Sequence, residues 1–228
     1  MKKNLKILFF GRKNCNFSKK ILFEIKKLSN NIKVILSIKQ GEKLTKNVLN
    51  WRGDYIFCFR SFFILPSKLI NNASIAAINF HPGPPEYRGI GCVNFAIFNN
   101  EKKYGATCHL ISKKIDSGKI IDVKRFNIKA KDSIDTLLKK TYKIQIIQFK
   151  KIIKKIKNRS DFKQILNKEK WSKRLYTKKN LNDLYLFNKT FNIREKNLKK
   201  YLRSTMTKNF SPYLKIKEKK FLILDNKI

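Results

Sequence analysis

Short apolar runs alternate with stretches of helical period through the first half of this chain. Leu5 to Phe10, broken only by Lys6, reads as a strand ending at Gly11. From Ser18 onward, Ile21, Leu22, Ile25 and Leu28 recur at helical spacing. Ile32 to Ile38 is a second strand and Lys43 to Leu49 a short helix. Tyr55 to Phe59 is a third strand, Ser61 to Pro66 a loop, Ser67 to Asn72 a short helix, and Ala73 to Phe80 a fourth strand. Continuous apolar strands alternating with helices predict a mostly parallel sheet covered on both faces, an α/β, Rossmann-like fold.

Val93 to Asn99 then reads as a helix, and Tyr104 to Ile111 and Lys119 to Phe126 as strands. The longest helix opens at Asp132, with Asp135 three residues on as a near capping box. Its core face is predicted as Leu138, Tyr142, Ile146, Phe149, Ile153 and Ile156. Beyond about Trp171 the pattern changes. Leu181, Leu184 and Tyr185 suggest a short helix, and Asn192 with Glu195 resembles a capping box for a helix carrying Leu198, Tyr201 and Leu202. Tyr213 to Ile216 and Phe221 to Leu224 flank a polar turn and read as a hairpin. The expected division is a main domain over 1–176 and a small helix and β-hairpin appendage over 177–228.

Composition adds three bounds. A chain of 228 residues, 42% hydrophobic and 12% aromatic, suffices for a sizeable core. The net charge of +39 suggests a polyanionic partner, but only nine of the 54 basic residues are Arg, and Lys is scattered through every segment. That spread reads as a compositional bias carried on a solvated surface; charge informs solubility and non-specific binding rather than fold. Cys15, Cys58, Cys92 and Cys108 show no Cys-x-x-Cys spacing and there are only two His, which argues against a metal site. Cys58 and Cys108 lie in apolar runs as small buried residues, and a reducing cytoplasm fits. The N-terminal Met1-Lys2-Lys3 mimics a signal peptide, but the apolar run after it is too short; no stretch approaches a membrane span.

Chemistry concentrates at the end of the fourth strand. Asn79 and His81 are two apart, so a strand presents both on one face, and Pro82 ends the ladder. An amide and an imidazole therefore stand at the carboxyl end of a strand, where open α/β sheets place ligands. The glycines Gly83, Gly89 and Gly91 do not form a G-x-G-x-x-G cradle, and none follows the first strand, which argues against NAD or FAD.

Asn79-Phe80-His81-Pro82-Gly83-Pro84-Pro85-Glu86-Tyr87-Arg88-Gly89, followed by Asp116-Ser117-Gly118, resembles the N10-formyltetrahydrofolate-dependent formyltransferases. The wording from His81 to Tyr87, with Gly89 to Ala96 after it, is most similar to the branch that formylates amino sugars on nucleotides. The likeness is dense from about Ser61 to Ile121 and looser at Trp171 to Phe187 and Phe210 to Leu224. It implies a catalytic trio of Asn79, His81 and Asp116. Asn79 would donate to an oxyanion, His81 would shuttle a proton near neutrality, and Asp116 would orient the imidazole. It implies N10-formyltetrahydrofolate as co-substrate, with Phe62, Ile64 and Leu65 walling the pterin pocket beside Asp116. A nucleotide-linked amino sugar would lie at Gly83, Tyr87 and Arg88, with Tyr176, Lys178, Lys179 and Tyr213 as further candidates for its base and pyrophosphate. His109 reads as a structural or supporting residue. The resemblance further implies a cytoplasmic homodimer serving lipopolysaccharide or O-antigen biosynthesis, most simply on a TDP-4-amino-4,6-dideoxyhexose.

The alternatives are a methionyl-tRNA formyltransferase, a glycinamide ribonucleotide formyltransferase and a catalytically dead nucleic-acid-binding module. The first shares the Tyr87-Arg88-Gly89 wording, but the roughly fifty residues after the main domain are fewer than that branch's tRNA-binding barrel needs. The last has no use for the intact trio, and no specific nucleic-acid partner is expected. Because Lys is spread evenly, RNA binding should be weak and should fall steeply between about 50 and 200 mM salt in a filter or anisotropy titration. Tight, sequence-selective tRNA binding at physiological salt would instead favour the tRNA branch.

Overall fold

A computed structural model describes residues 4–158, 167–187 and 194–224. A six-stranded sheet in the order β2-β1-β3-β4-β6-β7 organises it. Strands β1 (Ile7–Arg12), β2 (Ile32–Ser37), β3 (Gly53–Phe59) and β4 (Ala73–His81) are parallel, as their apolar runs predict. β6 (Lys103–Leu110) and β7 (Ile120–Asn127) add antiparallel. From β1 the chain steps to one side through α1 (Asn16–Lys26) to β2. It then crosses to the other side through α2 (Lys46–Leu49) to β3, and through α3 (Ser67–Ile70) to β4. The strand order therefore reverses between β1 and β3, and the carboxyl ends of β1, β3 and β4 share one rim.

The core lies on both faces. On one face Phe9, Phe57, Ile78 and Phe80 pack against α1 and against α5 (Ile134–Lys157). Phe149 of α5 meets Phe57 edge-on at 5.3 Å and Phe80 at 5.2 Å between ring centroids. On the other face Leu8, Phe10, Ile56 and Cys58 pack against Val48, Trp51 and Leu69. Cys58 and Cys108 are buried in strands, as expected.

The longest helix departs from its expected details. Its N-cap is Ser133, which forms a capping box with Thr136; Asp132 instead accepts from the Lys129 N–H and pairs with Lys140. The buried face is Ile134, Leu137, Thr141, Gln145, Gln148, Phe149, Ile152, Ile153 and Ile156. Leu138, Tyr142 and Ile146 are only half-buried. The stripe turns because the sheet beneath it has carbonyls to satisfy. Gln145 donates to Phe80 O at 2.8 Å, and Gln148 to Ala106 O at 3.2 Å and Asp122 O at 3.1 Å. Buried carbonyls need donors, so polar residues take the centre of the face.

The later segments build a second layer around α4 (Cys92–Phe98). β5 (Arg88–Gly89) pairs in parallel with β8 (Leu175–Tyr176), and α6 (Lys178–Tyr185) follows. α7 (Glu195–Thr205) lies against α4, where Asn94 donates to Ser204 O at 2.9 Å. The expected cap Asn192 lies outside the described residues. The hairpin is β9 (Tyr213–Ile216) with β10 (Lys219–Leu222). Its turn is shorter than predicted: Ile216 pairs with Lys219 across a two-residue loop in which Lys217 has φ 50°. Positive φ at a two-residue turn matches strand twist, which draws Lys219 and Lys220 into the strand.

Phe149→Ala should cost about 3–5 kcal/mol, because it leaves a cavity between the rings of Phe57 and Phe80. Urea unfolding should show this as a lower midpoint with an unchanged slope.

Candidate active site

Asn79 and His81 close β4 on one face of the strand, and the antiparallel β6 places His109 directly opposite Asn79. β7 carries an extra residue beside Cys108 and His109, a bulge next to the site. The loop between β6 and β7 brings in Asp116, whose φ of 43° is left-handed and unusual for a non-glycine residue. Arg88 holds that loop. Its Nε donates to Asp116 O at 2.7 Å, one terminal nitrogen to Ile115 O at 2.9 Å and the other to Ser172 O at 3.1 Å. Gly118 lets the loop close, since a Cβ there would run into Leu110 O.

The carboxylate of Asp116 lies between two imidazoles. Oδ2 is 3.3 Å from His81 Nδ1 and accepts from the Gly89 N–H at 2.9 Å; Oδ1 is 3.4 Å from His109 Nε2. His81 Nε2–H donates to Tyr87 O at 2.7 Å, and Cys92 Sγ stands 3.6 Å from the same nitrogen. A carbonyl can only accept, so Nε2 carries hydrogen. The second nitrogen, facing a carboxylate, carries one too in the charged ring. Burial, the largest single influence, would lower the His81 pKa, but the Asp116 carboxylate, Cys92 and the Tyr87 carbonyl together outweigh it and push the group up to about 9. Burial would likewise raise the Asp116 carboxyl, but the His81 charge, His109 and the Gly89 N–H hold it well below its usual range. His81 is therefore loaded with a proton at neutral pH, where the sequence led us to expect a group titrating near 7.

His109 Nδ1–H donates to Leu110 O at 2.8 Å, and its Nε2 lies 3.1 Å from Asn79 Nδ2 and 3.4 Å from Asp116 Oδ1. Asn79 keeps a second N–H. Asn79, His109 and Asp116 line a cavity of about 540 Å³, with Phe62, Phe63, Ile64 and Leu65 as its apolar wall. His81 is 3% exposed and stands behind Asp116 rather than on the wall. Lys113, Lys114 and Lys178 bring cations to the cavity, and among the described residues Asp116 is its one acidic lining residue.

Three expected substrate contacts have other work. Gly83 packs under His81 and gives its carbonyl to Thr107. Tyr87 is buried, stacked on Tyr176, with its hydroxyl bonded to Glu101 at 2.8 Å and Asn99 at 3.0 Å. Arg88 spends three of its five N–H donors on main-chain carbonyls. Of the further candidates, Tyr176 and Lys178 reach the cavity; Lys179 and Tyr213 are not on its wall. Two residues stand closer to the chemistry than expected: His109, and Trp171, whose ring abuts both imidazoles. Their sequence signal was scarcity, since the chain has two His and two Trp. Among the described residues no cluster could hold a metal ion, and no helix is long and apolar enough to cross a membrane.

Residues 36–153, just over half of the chain, match the family described as formyl transferase, and the chain belongs to that family. It is 32% identical over 111 residues to the methionyl-tRNA formyltransferase of Ligilactobacillus salivarius, across 48% of this chain and 35% of that protein. The chain thus spans about a third of that curated relative's length. Solved structures share the fold more fully. A 4-N formyltransferase from Francisella tularensis has TM-score 0.74 at 20% identity, covering 97% of both chains. An N-formyltransferase from Helicobacter canadensis, in complex with folinic acid and dTDP-3-aminofucose, has TM-score 0.72 at 19% identity, covering 95% of this chain and 86% of that one.

The raised His81 pKa gives a pH signature. Below the unfolded value of about 6.5 the ion pair's stabilisation is complete, and it is lost as pH rises through about 9. Urea midpoints should therefore fall across that window, and Asp116→Asn should flatten the slope and return the His81 NMR titration toward its ordinary range.

Proposed function

We propose that this protein transfers a formyl group from N10-formyltetrahydrofolate to the amine of a nucleotide-linked amino sugar, a 4-amino-4,6-dideoxyhexose on TDP. The observation that carries it is the Asn79–His109–Asp116–His81 array at a cavity with an apolar wall. The pterin lies against Phe62, Ile64 and Leu65, with Asp116 at its edge. The amine attacks the formyl carbon, and the carbonyl becomes an oxyanion that accepts from the second Asn79 N–H. Asp116, kept ionised by His81, receives the proton released by the attacking nitrogen. The proton-loaded His81–Asp116 pair returns one to N10 as its bond to the formyl carbon breaks, so the site ends with the protons it began with. Lys113, Lys114 and Lys178 stand where the acceptor's pyrophosphate could be held, and such remote binding would orient the amine.

The motif wording from Asn79 to Ala96 supports the sugar acceptor, as does the fold shared with sugar-formylating enzymes. Exposed apolar residues on the hairpin, Phe221 and Leu222 among them, suit a homodimer. A second reading, methionyl-tRNA as acceptor, is favoured by the identity to methionyl-tRNA formyltransferases.

Incubation with N10-formyltetrahydrofolate and amino sugars on TDP, UDP and GDP, followed by mass spectrometry, should show a formyl gain of one nucleotide sugar. Turnover of methionyl-tRNA without any nucleotide sugar would decide for the second reading. His81→Ala should lower kcat by about 10²–10⁴-fold and change nucleotide-sugar affinity little.

A further inference from the structure

Trp171 lies outside the sheet, on the segment leading into β8, yet its ring meets both imidazoles of the array. Its centroid is 5.6 Å from that of His81 at an interplanar angle of 75°, and 5.0 Å from that of His109 at 87°. The indole Nε1–H donates to Gly118 O at 2.7 Å, just beyond Asp116. The segment around it is tied on several sides. Asn167 N–H donates to Ile120 O at 2.8 Å and Ser172 N–H to Pro85 O at 3.0 Å. Ser172 O accepts from Arg88, and Arg125 joins Glu169 to Glu86. The indole cannot shift without breaking bonds to the two loops that carry the array.

An aromatic ring so placed has two effects. It keeps water from the back of the Asp116 carboxylate, so the attraction between carboxylate and imidazolium acts in a low dielectric. It also makes edge-type contacts with both rings, which fix their planes. We propose that Trp171 is a positioning residue: it walls the His81–Asp116–His109 array from solvent and holds both imidazoles in register with the carboxylate. The role in turnover rests on the formyl-transfer reading; the effect on the array does not.

The groups facing His81 are Asp116 from the β6–β7 loop, Cys92 from α4 and the Tyr87 carbonyl, with His109 of β6 beyond the carboxylate. Of these, Asp116 gives the strongest attraction, and together with Cys92 and the Tyr87 carbonyl it outweighs burial. Hydrating the pair therefore moves His81 back toward its ordinary value of about 6.5.

Histidine NMR on the full chain without substrate tests this, since there are only two rings to assign. Trp171→Leu should lower the His81 midpoint by about one unit or more, and Trp171→Phe should restore most of it. In turnover, Trp171→Leu should lower kcat by about 10- to 100-fold with either KM within about threefold. A folded Trp171→Leu protein in which His81 titrates as in the parent overturns the proposal, whatever the protein formylates. Should that variant not fold, the parent's Trp171 emission, isolated by subtracting that of Trp171→Phe, should change through the His81 titration and lose the change in His81→Gln. Emission independent of pH overturns the proposal equally. A failed formyl-transfer assay with the expected titration would sink the functional reading alone.

Discussion

The carboxylate of Asp116 is the constraint around which the rest of the site is arranged. A buried carboxylate is costly unless charge and hydrogen bonds surround it, and here an imidazolium, a second imidazole and the Gly89 N–H do so. Holding it there requires a left-handed backbone at Asp116, a residue without Cβ at 118, and the three carbonyls gripped by Arg88. Strain of this kind persists only where its surroundings over-determine it. The Pro-rich loop after β4 then has a clear physical purpose. It supplies the Tyr87 carbonyl that orients the His81 ring, the Gly89 N–H, and the guanidinium that holds the Asp116 loop.

The sheet topology explains why the array has four members. A purely parallel continuation after β4 would have left Asn79 facing another strand of the same direction. The antiparallel return of β6 instead sets His109 opposite Asn79, and the turn into β7 carries Asp116 back over the same rim. That return leaves carbonyls of β4, β6 and β7 under α5. Gln145 and Gln148 answer them, so the helix that seals the core is polar along its middle. Site and core are thus coupled: Gln145 holds the carbonyl of Phe80, the residue between Asn79 and His81.

What could be read from the sequence followed the range of the physics. Strand and helix positions came from local periodicity and mostly agree within two or three residues. The pairing of Asn79 with His81 needed only a period of two. His109 and Trp171 needed partners thirty to ninety residues away, which periodicity does not carry. Arg88 was read as a substrate contact because an Arg beside a motif looks alike whether it meets a phosphate or, as three of its N–H groups do, a row of carbonyls. The stripe of α5 was misplaced because only apolar residues were counted, whereas a buried glutamine is as much core as a leucine when a carbonyl waits for it.

The charge of +39 bears on the acceptor less than its size suggests. Both candidate acceptors, a nucleotide diphosphate sugar and a tRNA, are polyanions. A positive field raises the encounter rate of each and discriminates between them weakly. The same holds for Lys113, Lys114 and Lys178 at the cavity, since an ammonium reads charge and little shape. Discrimination must come from walls that a Lys does not make: with the apolar run Phe62 to Leu65 proposed for the pterin, that leaves the second wall, Leu175 to Thr177, for the acceptor. The second wall hangs on the short pairing of Arg88 and Gly89 with Leu175 and Tyr176. The backbone that fixes the Asp116 carboxylate therefore also fixes the wall proposed for the acceptor, and a change in one would be felt in the other.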